Sequence, residues 1–366
     1  GGGIAGAALA YFLQRRGLSD ILVLEREAQP GYHASGRSAA TVVTFHRQPI
    51  VRRLIALGGA FLREPPAGFS DEPLVEGFGV IVPAGGAAWP DLQAFAAVMA
   101  AEGIRNQLID IDEATRRHPA LAGPRYDGGL LLPDDGAIDV HGLLQAYLRP
   151  VTRAGGEVRL RADVHAVLTA DGRVTGVECS AGRFGARRVV NAAGAWAGVI
   201  GALAGASPIA FTPLRRTIIT FDAPDGLPAR GLPMIDCEQH RFYVKPESGG
   251  FLASPMDETP VAPCDAAPAE EHVAEAIDKV ARHLPAIAPR ALRRRWAGLR
   301  TFAPDLVPVV GEDPRLGGFF WLAGQGGVGI ETSPALGRLA ADLILDGQTD
   351  VMDPAPLLPG RFAAED

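Results

Sequence analysis

Residues 1–25 read GGGIAGAALAYFLQRRGLSDILVLE, and this stretch decides the fold of the chain. It holds the spacing G-x-G-x-x-G at Gly1, Gly3 and Gly6, then an apolar helical pattern and a β-rich run that ends at Glu25. In such a pattern the glycines allow a tight turn, close approach of the backbone to a pyrophosphate, and close packing of helix on strand. The free N–H groups at the start of the helix favour an anion. The stretch therefore predicts a dinucleotide site.

The acid that ends this stretch supports the same interpretation. Glu25 follows Gly6 by 19 residues, the spacing at which a carboxylate leaving the second strand reaches a ribose hydroxyl. A carboxylate there repels a 2′-phosphate, so the pattern disfavours NADP. A glycine-rich turn without a ligand is the alternative, because a single G-x-G-x-x-G has low specificity. The strand expected before the turn would precede Gly1, so we read the sequence as clipped at its N-terminus, where no targeting segment can be judged.

Composition is typical of a globular protein and argues against several functions. The 366 residues are 47% hydrophobic and 21% charged, which suits about two domains with their own cores. The net charge of -7 argues against a nucleic-acid surface, and no apolar run approaches the length of a membrane span. Cys179, Cys237 and Cys264 are widely spaced, which fits structural thiols in a reducing compartment and predicts no metal site. We expect a cytoplasmic protein, either free or peripheral at a membrane.

Strand and helix patterns divide the chain into two interleaved parts. The sequence of strand, glycine turn and helix recurs at 187–196 and again at 318–345, so it both opens and closes the chain. The intervening parts show antiparallel strand patterns and amphipathic helices, one of them with Asp112 as its expected N-cap. We predict an α/β (α+β) fold with a discontinuous nucleotide-binding domain, residues 1–75, 136–210 and 301–366, and an inserted substrate domain, residues 76–135 and 211–300.

Several further motifs, taken together, resemble one known family. They are LEREAQPGYHASGRSAA at 24–40, PPAGF at 65–69, VVNAAGAWA at 189–197, FYVKP at 242–246, WAGLR at 296–300 and GFFWLAGQGGVGIETS at 318–333. This combination is similar to the D-amino acid oxidase family of FAD-dependent amine oxidoreductases, and within that family to the bacterial D-arginine dehydrogenases. The resemblance touches the whole chain. It implies a Rossmann-like FAD-binding domain with an inserted antiparallel-sheet substrate domain.

The resemblance implies noncovalent FAD as the cofactor. It assigns the pyrophosphate to Gly1, Gly3 and Gly6 and the adenosine ribose to Glu25. The other cofactor-binding residues that it implies are Arg26, Arg37, Ser38, Ala39, Ala40, Val164, Ala193, Gly194, Trp196, Gly326, Gly329 and Ile330. For Arg37 a solvent salt bridge is the alternative, and a flavin tether through His33 is a less favoured one.

The resemblance also implies a site for an amino acid. It places Arg216, Tyr243 and Arg300 around the carboxylate, which suits the two parallel hydrogen bonds that a guanidinium donates. The pocket residues that it implies are Thr41, His46, Gly79, Met234, Asp236, Gly327 and Glu331. Alternation along the strand leaves open whether Arg215 or Arg216 faces the site. An ion pair within the strand is the alternative role for Arg300.

The implied reaction is oxidative deamination of a D-amino acid. The α-hydrogen passes as hydride to flavin N5, and the imino acid hydrolyses to a 2-oxo acid and ammonia. The substrate side chain stays open, because Gly79 stands where D-arginine dehydrogenases have a glutamate that pairs with a basic group. Asp236 and Glu331 are additional acids that either favour a cation or are hydrated.

The sequence leaves alternatives open for the electron acceptor and for the class of protein. The lysine that activates oxygen in the sarcosine-oxidase subgroup aligns with Ala253, and we expect Lys245 to point elsewhere. This favours a dehydrogenase that passes electrons to a quinone or another carrier. The alternatives are an FAD-dependent oxidase of a secondary amine, glycine or a 2-hydroxy acid, and a non-catalytic flavin-binding subunit.

Overall fold

The computed structural model describes residues 1–362 of the chain. Its α-helices are α1 (Ile4–Arg15), α2 (Pro49–Arg63), α3 (Ala88–Ala101), α4 (Ile111–Arg117), α5 (Val140–Arg153), α6 (Ala197–Ala204), α7 (Glu270–His283) and α8 (Gly329–Asp346). The strands of the first half are β1 (Leu22–Leu24), β2 (Thr41–Val42), β3 (Val75–Glu76), β4 (Val80–Ala84), β5 (Gln107–Asp110), β6 (Gly128–Leu132), β7 (Gly136–Ile138), β8 (Glu157–Arg159), β9 (Val164–Ala170) and β10 (Arg173–Cys179). Those of the second half are β11 (Gly182–Gly185), β12 (Val189–Asn191), β13 (Thr212–Asp222), β14 (Met234–Cys237), β15 (Phe242–Glu247), β16 (Gly250–Ser254), β17 (Thr259–Pro260), β18 (Leu292–Phe302), β19 (Val309–Glu312) and β20 (Phe319–Ala323).

Two parallel strand pairs lie beside the glycine-rich turn. Strand β1 pairs with β8, and β12 pairs with β20, which also binds β19 in the antiparallel sense. Helices α1 and α8 pack together against them through a shared apolar cluster that includes Leu9, Leu13, Leu336 and Leu339. Parallel strands connected through helices are typical of nucleotide-binding α/β folds. The predicted α/β class is therefore confirmed.

The largest sheet has nine strands and is mostly antiparallel. Its order is β17-β13-β16-β15-β14-β4-β6-β5, and β18 pairs with β13 over most of its length. The one parallel neighbour pair in this sheet joins β14 to β4. All nine strands come from residues 80–132 and 212–302. The exact domain limits stay a prediction, and residues 363–366 of the third predicted segment lie outside the described part.

The two faces of this sheet pack against different parts of the chain. One face carries Ile81, Ile219 and Val244 and is covered by α7 through Val273 and Val280. The opposite face carries Val80, Ile218, Met234 and Leu252 and packs on Phe45 and Ala39. Since successive side chains of a strand point to opposite faces, the face on which a residue lies follows from its register. The strand register therefore determines which side chains lie together on the substrate face of the sheet.

Local signals set the limits of two helices, and the one predicted cap is wrong. Helix α5 begins after Asp139, whose carboxylate accepts a hydrogen bond from Gly142 N at 2.9 Å, and it ends before Gly155, whose φ is +96°. The prediction of Asp112 as an N-cap is wrong. Asp110 caps α4 by accepting from Glu113 N at 2.7 Å, because its backbone is extended whereas Asp112 already lies in the first helical turn. Among residues 1–362, no helix combines the length and apolar character that crossing a bilayer requires.

Candidate cofactor and substrate site

One cavity of about 1210 Å³ runs from the glycine-rich turn to the loop before α8. At one end it meets Glu25, and at the other it meets Arg300 and Gly327. Part of its wall is apolar and lies between the two parallel strand pairs. The predicted cofactor residues that line it are Gly1, Gly3, Gly6, Glu25, Arg26, Ser38, Val164, Ala193, Gly194, Trp196, Gly326, Gly329 and Ile330. A dinucleotide-sized ligand therefore has a continuous space along these residues.

The glycine-rich turn is shaped for a backbone that must come close to a ligand. A Cβ atom at Gly6 would overlap the carbonyl oxygen of Gly1, and one at Gly1 would lie 2.5 Å from the carbonyl oxygen of Ala192. Helix α1 has Gly3 as its N-cap, without a capping side chain. Its first N–H groups and the positive end of its dipole thus lie beside the cavity and suit a pyrophosphate.

Glu25 supports the turn and still has capacity for a ribose. Its carboxylate accepts hydrogen bonds from Gly2 N and Glu27 N, each at 2.9 Å. A carboxylate offers about four acceptor positions, so about two remain for hydroxyl groups. Burial of Glu25, which is 8% exposed, makes these remaining positions valuable to a ligand that brings donors.

Arg300 is a buried cation at the other end of the cavity. Arg300 is 7% exposed, and its guanidinium forms no hydrogen bond or ion pair with any of residues 1–362. Burial lowers the pKa of Arg300, and the positive charge of Arg216 adds to this effect. A Cβ atom at Gly327 would lie 2.6 Å from Cδ of Arg300, so the glycine leaves the arginine its place in the cavity. A buried cation without a hydrogen-bond or salt-bridge partner is a strong site for an anion.

Strand register brings Arg216 and Tyr243 to the same face as Arg300. Across β13 and β18, Leu214 pairs with Arg300 and Arg216 with Gly298, and residues opposite one another share a face. This resolves the ambiguity between neighbours, because Arg215 points to the other face. The Arg216 guanidinium is already bound, by the carbonyl oxygen of Asp257 at 2.9 Å and by Glu258 Oε1 at 3.0 Å. Arg300 is therefore the cation that is free to bind a ligand.

Tyr243 lies between several charged groups on this face. It pairs across the strands with Asp236 on one side and Ser254 on the other. Burial raises the pKa of Tyr243, while the positive charges of Arg300 and Arg216 oppose this rise. The phenol accordingly keeps its proton at neutral pH and can donate a hydrogen bond to a carboxylate held by Arg300.

The comparisons with known proteins agree with this geometry. The sequence profile of the family DAO, described as FAD dependent oxidoreductase, matches residues 1–343. This chain belongs to that family. Its cofactor is FAD, and the N-terminus of α1, where Ile4 N donates to Ser35 Oγ at 3.0 Å, the acceptors of Glu25 and the length of the cavity fit that group.

Members of the DAO family with established names cover much of the chain. Glycine oxidase of Geobacillus kaustophilus (strain HTA426) is 29% identical over 251 residues, which are 68% of this chain and 64% of that protein. The 4-methylaminobutanoate oxidase (formaldehyde-forming) of Paenarthrobacter nicotinovorans is 26% identical over 358 residues, 95% of this chain and 43% of that protein. The chain therefore spans less than two thirds of the length of these curated relatives. The crystal structure of the Geobacillus kaustophilus glycine oxidase superposes with a TM-score of 0.81 at 26% identity, covering 98% of this chain and 96% of the other.

Three predicted flavin contacts do not line the FAD cavity. Arg37 forms an ion pair with Asp265 and donates to the carbonyl oxygen of Ala266 at 3.1 Å, so the salt-bridge alternative is the one observed. Ala39 packs in the apolar cluster of the large sheet. Ala40 has a φ of +54°, and its carbonyl oxygen accepts from Ile138 N at 3.1 Å.

The aromatic residues near the adenosine side form their own cluster. The Arg26 guanidinium lies 4.6 Å above the Trp196 ring, and the His33 ring lies 4.7 Å from that same ring. His33 Nε2 is 2.8 Å from Glu27 Oε1. These contacts hold Arg26 and Trp196 at the cavity wall. They also occupy the ring of His33, the residue considered as an alternative attachment point for the flavin.

Most of the predicted pocket residues lie on the sheet or near it, outside the lining of the FAD cavity. Met234 is core on the Tyr243 face, and Gly79 has a φ of +83° and binds the carbonyl oxygen of Asp135. His46 accepts from Gln48 N at 3.2 Å, and burial lowers its pKa. Thr41 pairs with Ala137 in a short sheet. Gly327 is the pocket residue that lines the cavity.

The two residues weighed for oxygen reactivity both lie outside the lining of the FAD cavity. Ala253 pairs with Ile219 and Val244 and belongs to the α7 face of the sheet, opposite to Tyr243. Lys245 shares the face of Tyr243, but it is 3% exposed and its Nζ lies 3.0 Å from Glu247 Oε2. Alternation along β16 explains why Ala253 does not occupy the place that sequence matching gave it, since matching did not fix the register. The expectation that Lys245 points elsewhere stays a prediction.

Glu331 and Asp135 form a pair of buried acids that the sequence analysis recognised only in part. Burial raises the pKa of Glu331 to about 8, with Arg300 opposing the rise and Asp135 adding to it. Burial also raises the pKa of Asp135 to about 6, against hydrogen bonds from Thr44 N at 2.7 Å and from its hydroxyl. Asp135 was missed, although an acid in the short loop between two strands is a usable signal.

Changing Glu331 to glutamine should alter how stability depends on pH. The pKa of this carboxyl rises from 4.5 to about 8 on folding, so between these values the native state binds more protons than the unfolded state. The free energy of unfolding then falls as pH rises. Glutamine has no such proton, so Glu331→Gln should gain on the order of 1–2 kcal/mol relative to the parent between about pH 5 and pH 8.5. Urea unfolding across this range measures the gain, and two parallel pH curves would contradict it.

Proposed function

We propose that this chain oxidises the carbon next to the amine of an amino acid, with the substrate carboxylate held by Arg300. The observation that carries the proposal is the buried Arg300 guanidinium, which forms no hydrogen bond or salt bridge with any of residues 1–362 and lies against Gly327 in the FAD cavity. Glycine oxidase and 4-methylaminobutanoate oxidase are both named after amines that carry a carboxylate, which supports the same class.

The residues of the chain have separate tasks in this proposal. Arg300 binds the carboxylate, and the protonated phenol of Tyr243 adds a donor, so the substrate is fixed in one orientation. The buried sheet face beneath Tyr243 keeps water away from the bound amine. FAD supplies the chemistry when bound, by accepting the hydride of the substrate C–H bond. Because the amine must lose its proton before this transfer, we expect the reaction to accelerate as pH rises.

Within this class we propose D-amino acids, which give an imino acid and then a 2-oxo acid and ammonia. The resemblance of the sequence motifs to those of D-arginine dehydrogenases supports this finer assignment. Glycine or a secondary amine is the second candidate, which the match to the glycine oxidase structure favours. Both candidates use the same carboxylate site and differ in the volume left for a side chain.

We further propose a dehydrogenase that passes electrons to a quinone or another carrier. The sequence contains two lysines, Lys245 and Lys279. Lys245 pairs with Glu247, while Lys279 donates to two carbonyl oxygens, of Arg241 and Pro255, from helix α7. Neither lines the FAD cavity, so a lysine that would activate oxygen at the flavin has no candidate among the described residues.

Anaerobic reduction of the bound flavin tests the proposal. The purified protein is mixed with D- and L-enantiomers of several amino acids, glycine and sarcosine, and loss of the flavin absorbance is followed. We expect D-amino acids to bleach the flavin and their L-enantiomers to leave it oxidised. Bleaching by glycine or sarcosine alone would favour the second candidate, and no bleaching with any amine would support a non-catalytic flavin subunit. Rapid hydrogen peroxide formation in air would overturn the dehydrogenase assignment.

A further inference from the structure

Asp236 is a buried carboxyl group that lacks a partner. It is 8% exposed, and its Oδ1 atom accepts no hydrogen bond from any described residue. Burial raises its pKa to about 7, Glu238 adds to this rise and Arg216 opposes it. An unpaired carboxyl in such a place destabilises the protein unless a donor or a cation reaches it. The proposed reaction leaves this group without a task.

Strand register places Asp236 on the substrate face of the large sheet. It stands directly across from Tyr243 on β15, and residues opposite one another share a face. Asp236 and Arg300 both act on Tyr243, since Asp236 raises the pKa of that phenol and Arg300 lowers it. The phenol therefore lies between the carboxyl of Asp236 and the guanidinium of Arg300.

The distance between these two charges excludes one obvious role for Asp236. Four strand-to-strand steps separate β18 from β14, which at about 4.8 Å each give a backbone separation of about 19 Å measured along the sheet. Side chains on one face of a sheet stand roughly perpendicular to it, and neither group acts on the pKa of the other, although both act on Tyr243. We therefore take the gap between the carboxyl and the guanidinium to be on the order of 10 Å. The α-amine of an amino acid lies only about 3 Å from its own carboxylate. Asp236 is thus too far from Arg300 to bind the α-amine of the same substrate.

A positive charge at the far end of the substrate side chain fits the gap between Arg300 and Asp236. An extended chain of five methylenes covers about 6–7 Å, and a hydrogen bond of about 3 Å at each end spans the remainder. Glu331, the other acid predicted in the pocket, is a poorer candidate, because its pKa responds to Arg300 and it therefore lies near the carboxylate end of the site.

We propose that Asp236 binds the distal cation of the substrate, so that the preferred substrates are amino acids whose side chain ends in an amine or a similar cationic group. This inference rests on the proposed function, since it takes Arg300 as the carboxylate site. Asp236 is in that case a specificity residue, which selects the substrate without touching the reacting carbon.

Two non-oxidisable carboxylates test this inference on the FAD-loaded protein. Hexanoate and 6-aminohexanoate match D-norleucine and D-lysine without the α-amine, and their binding is read from the perturbed flavin spectrum at about pH 8. The parent protein should bind 6-aminohexanoate at least about 10-fold more tightly than hexanoate, because a buried charge pair forms. In Asp236→Asn this ratio should fall to near 1. The matched control is Asp222→Asn, which removes an exposed carboxylate of the same sheet that pairs with Arg293, and it should keep the parent ratio.

Each outcome decides the inference. Equal binding of the two carboxylates by the parent protein, or an unchanged ratio in Asp236→Asn, overturns it. If Asp236→Asn does not load FAD, Asp236→Glu keeps the charge and should retain a preference for 6-aminohexanoate over hexanoate; loss of that preference overturns the inference too. Flavin reduction by D-norleucine with no preference for D-lysine would reject the distal cation site and leave the proposed oxidation standing. A clear preference for 6-aminohexanoate without reduction by any amino acid would do the reverse.

Discussion

Replacing Arg300 with alanine should lower kcat/KM for flavin reduction by about 100-fold or more. Arg300 is the buried cation of the FAD cavity that lacks a protein partner among the described residues. Without it the substrate carboxylate would enter a buried space with no matching charge, and the C–H bond would no longer be held in one orientation. Stopped-flow reduction under anaerobic conditions, at several substrate concentrations, measures this loss.

Two further variants show whether the loss belongs to this position. Arg293→Ala removes a partly exposed arginine of the same strand, which pairs with Asp222, and should leave the kinetics unchanged. Arg216→Ala should have a smaller effect than Arg300→Ala, because its guanidinium is engaged by Asp257 and Glu258. Normal kinetics in Arg300→Ala would remove this residue from the site and with it the proposed function.

The parts of the fold that depend on neighbouring residues could be predicted from the sequence. The limits of α5 follow from Asp139 at its start and Gly155 after its end, both signals within a few residues of the helix. The glycine-rich turn and α1 follow in the same way from residues 1–25. Asp110 and Asp112 show the limit of such signals, since two acids two positions apart are equally good caps until the first helical residue is known.

The site depended on contacts that local signals do not contain. The motif around Arg37 predicted that this arginine lies at the flavin. Its guanidinium instead donates to the carbonyl oxygen of Ala266, which lies 229 positions further along the chain. The assignment of Ala253 failed because a shift of one residue in register moves a side chain to the opposite face of a sheet. The same rule decided between Arg215 and Arg216, but only once the pairing of β13 with β18 was known. Predicting this site thus required register across distant strands.

Changing Gly58 to alanine should lower the free energy of unfolding by about 3 kcal/mol. A Cβ atom at Gly58 of α2 would overlap the carbonyl oxygen of Glu331 in α8 and lie 3.1 Å from its carbonyl carbon. These neighbours are backbone atoms, so α8 must move as a whole. The gain of about 1 kcal/mol from the better helix propensity of alanine is smaller than this strain. Urea unfolding of the FAD-free protein, followed by far-UV circular dichroism, measures the difference.

The same substitution should also weaken FAD binding, because the start of α8 carries Gly329 and Ile330 at the wall of the FAD cavity. Gly198→Ala in α6 is the matched control, since no atom lies within 4 Å of the added Cβ. That variant should be unchanged or more stable by up to about 1 kcal/mol. Equal stability of the two variants would mean that α2 and α8 are further apart than in this structure. Lost stability with unchanged FAD affinity would instead separate the packing of the two helices from the shape of the cofactor site.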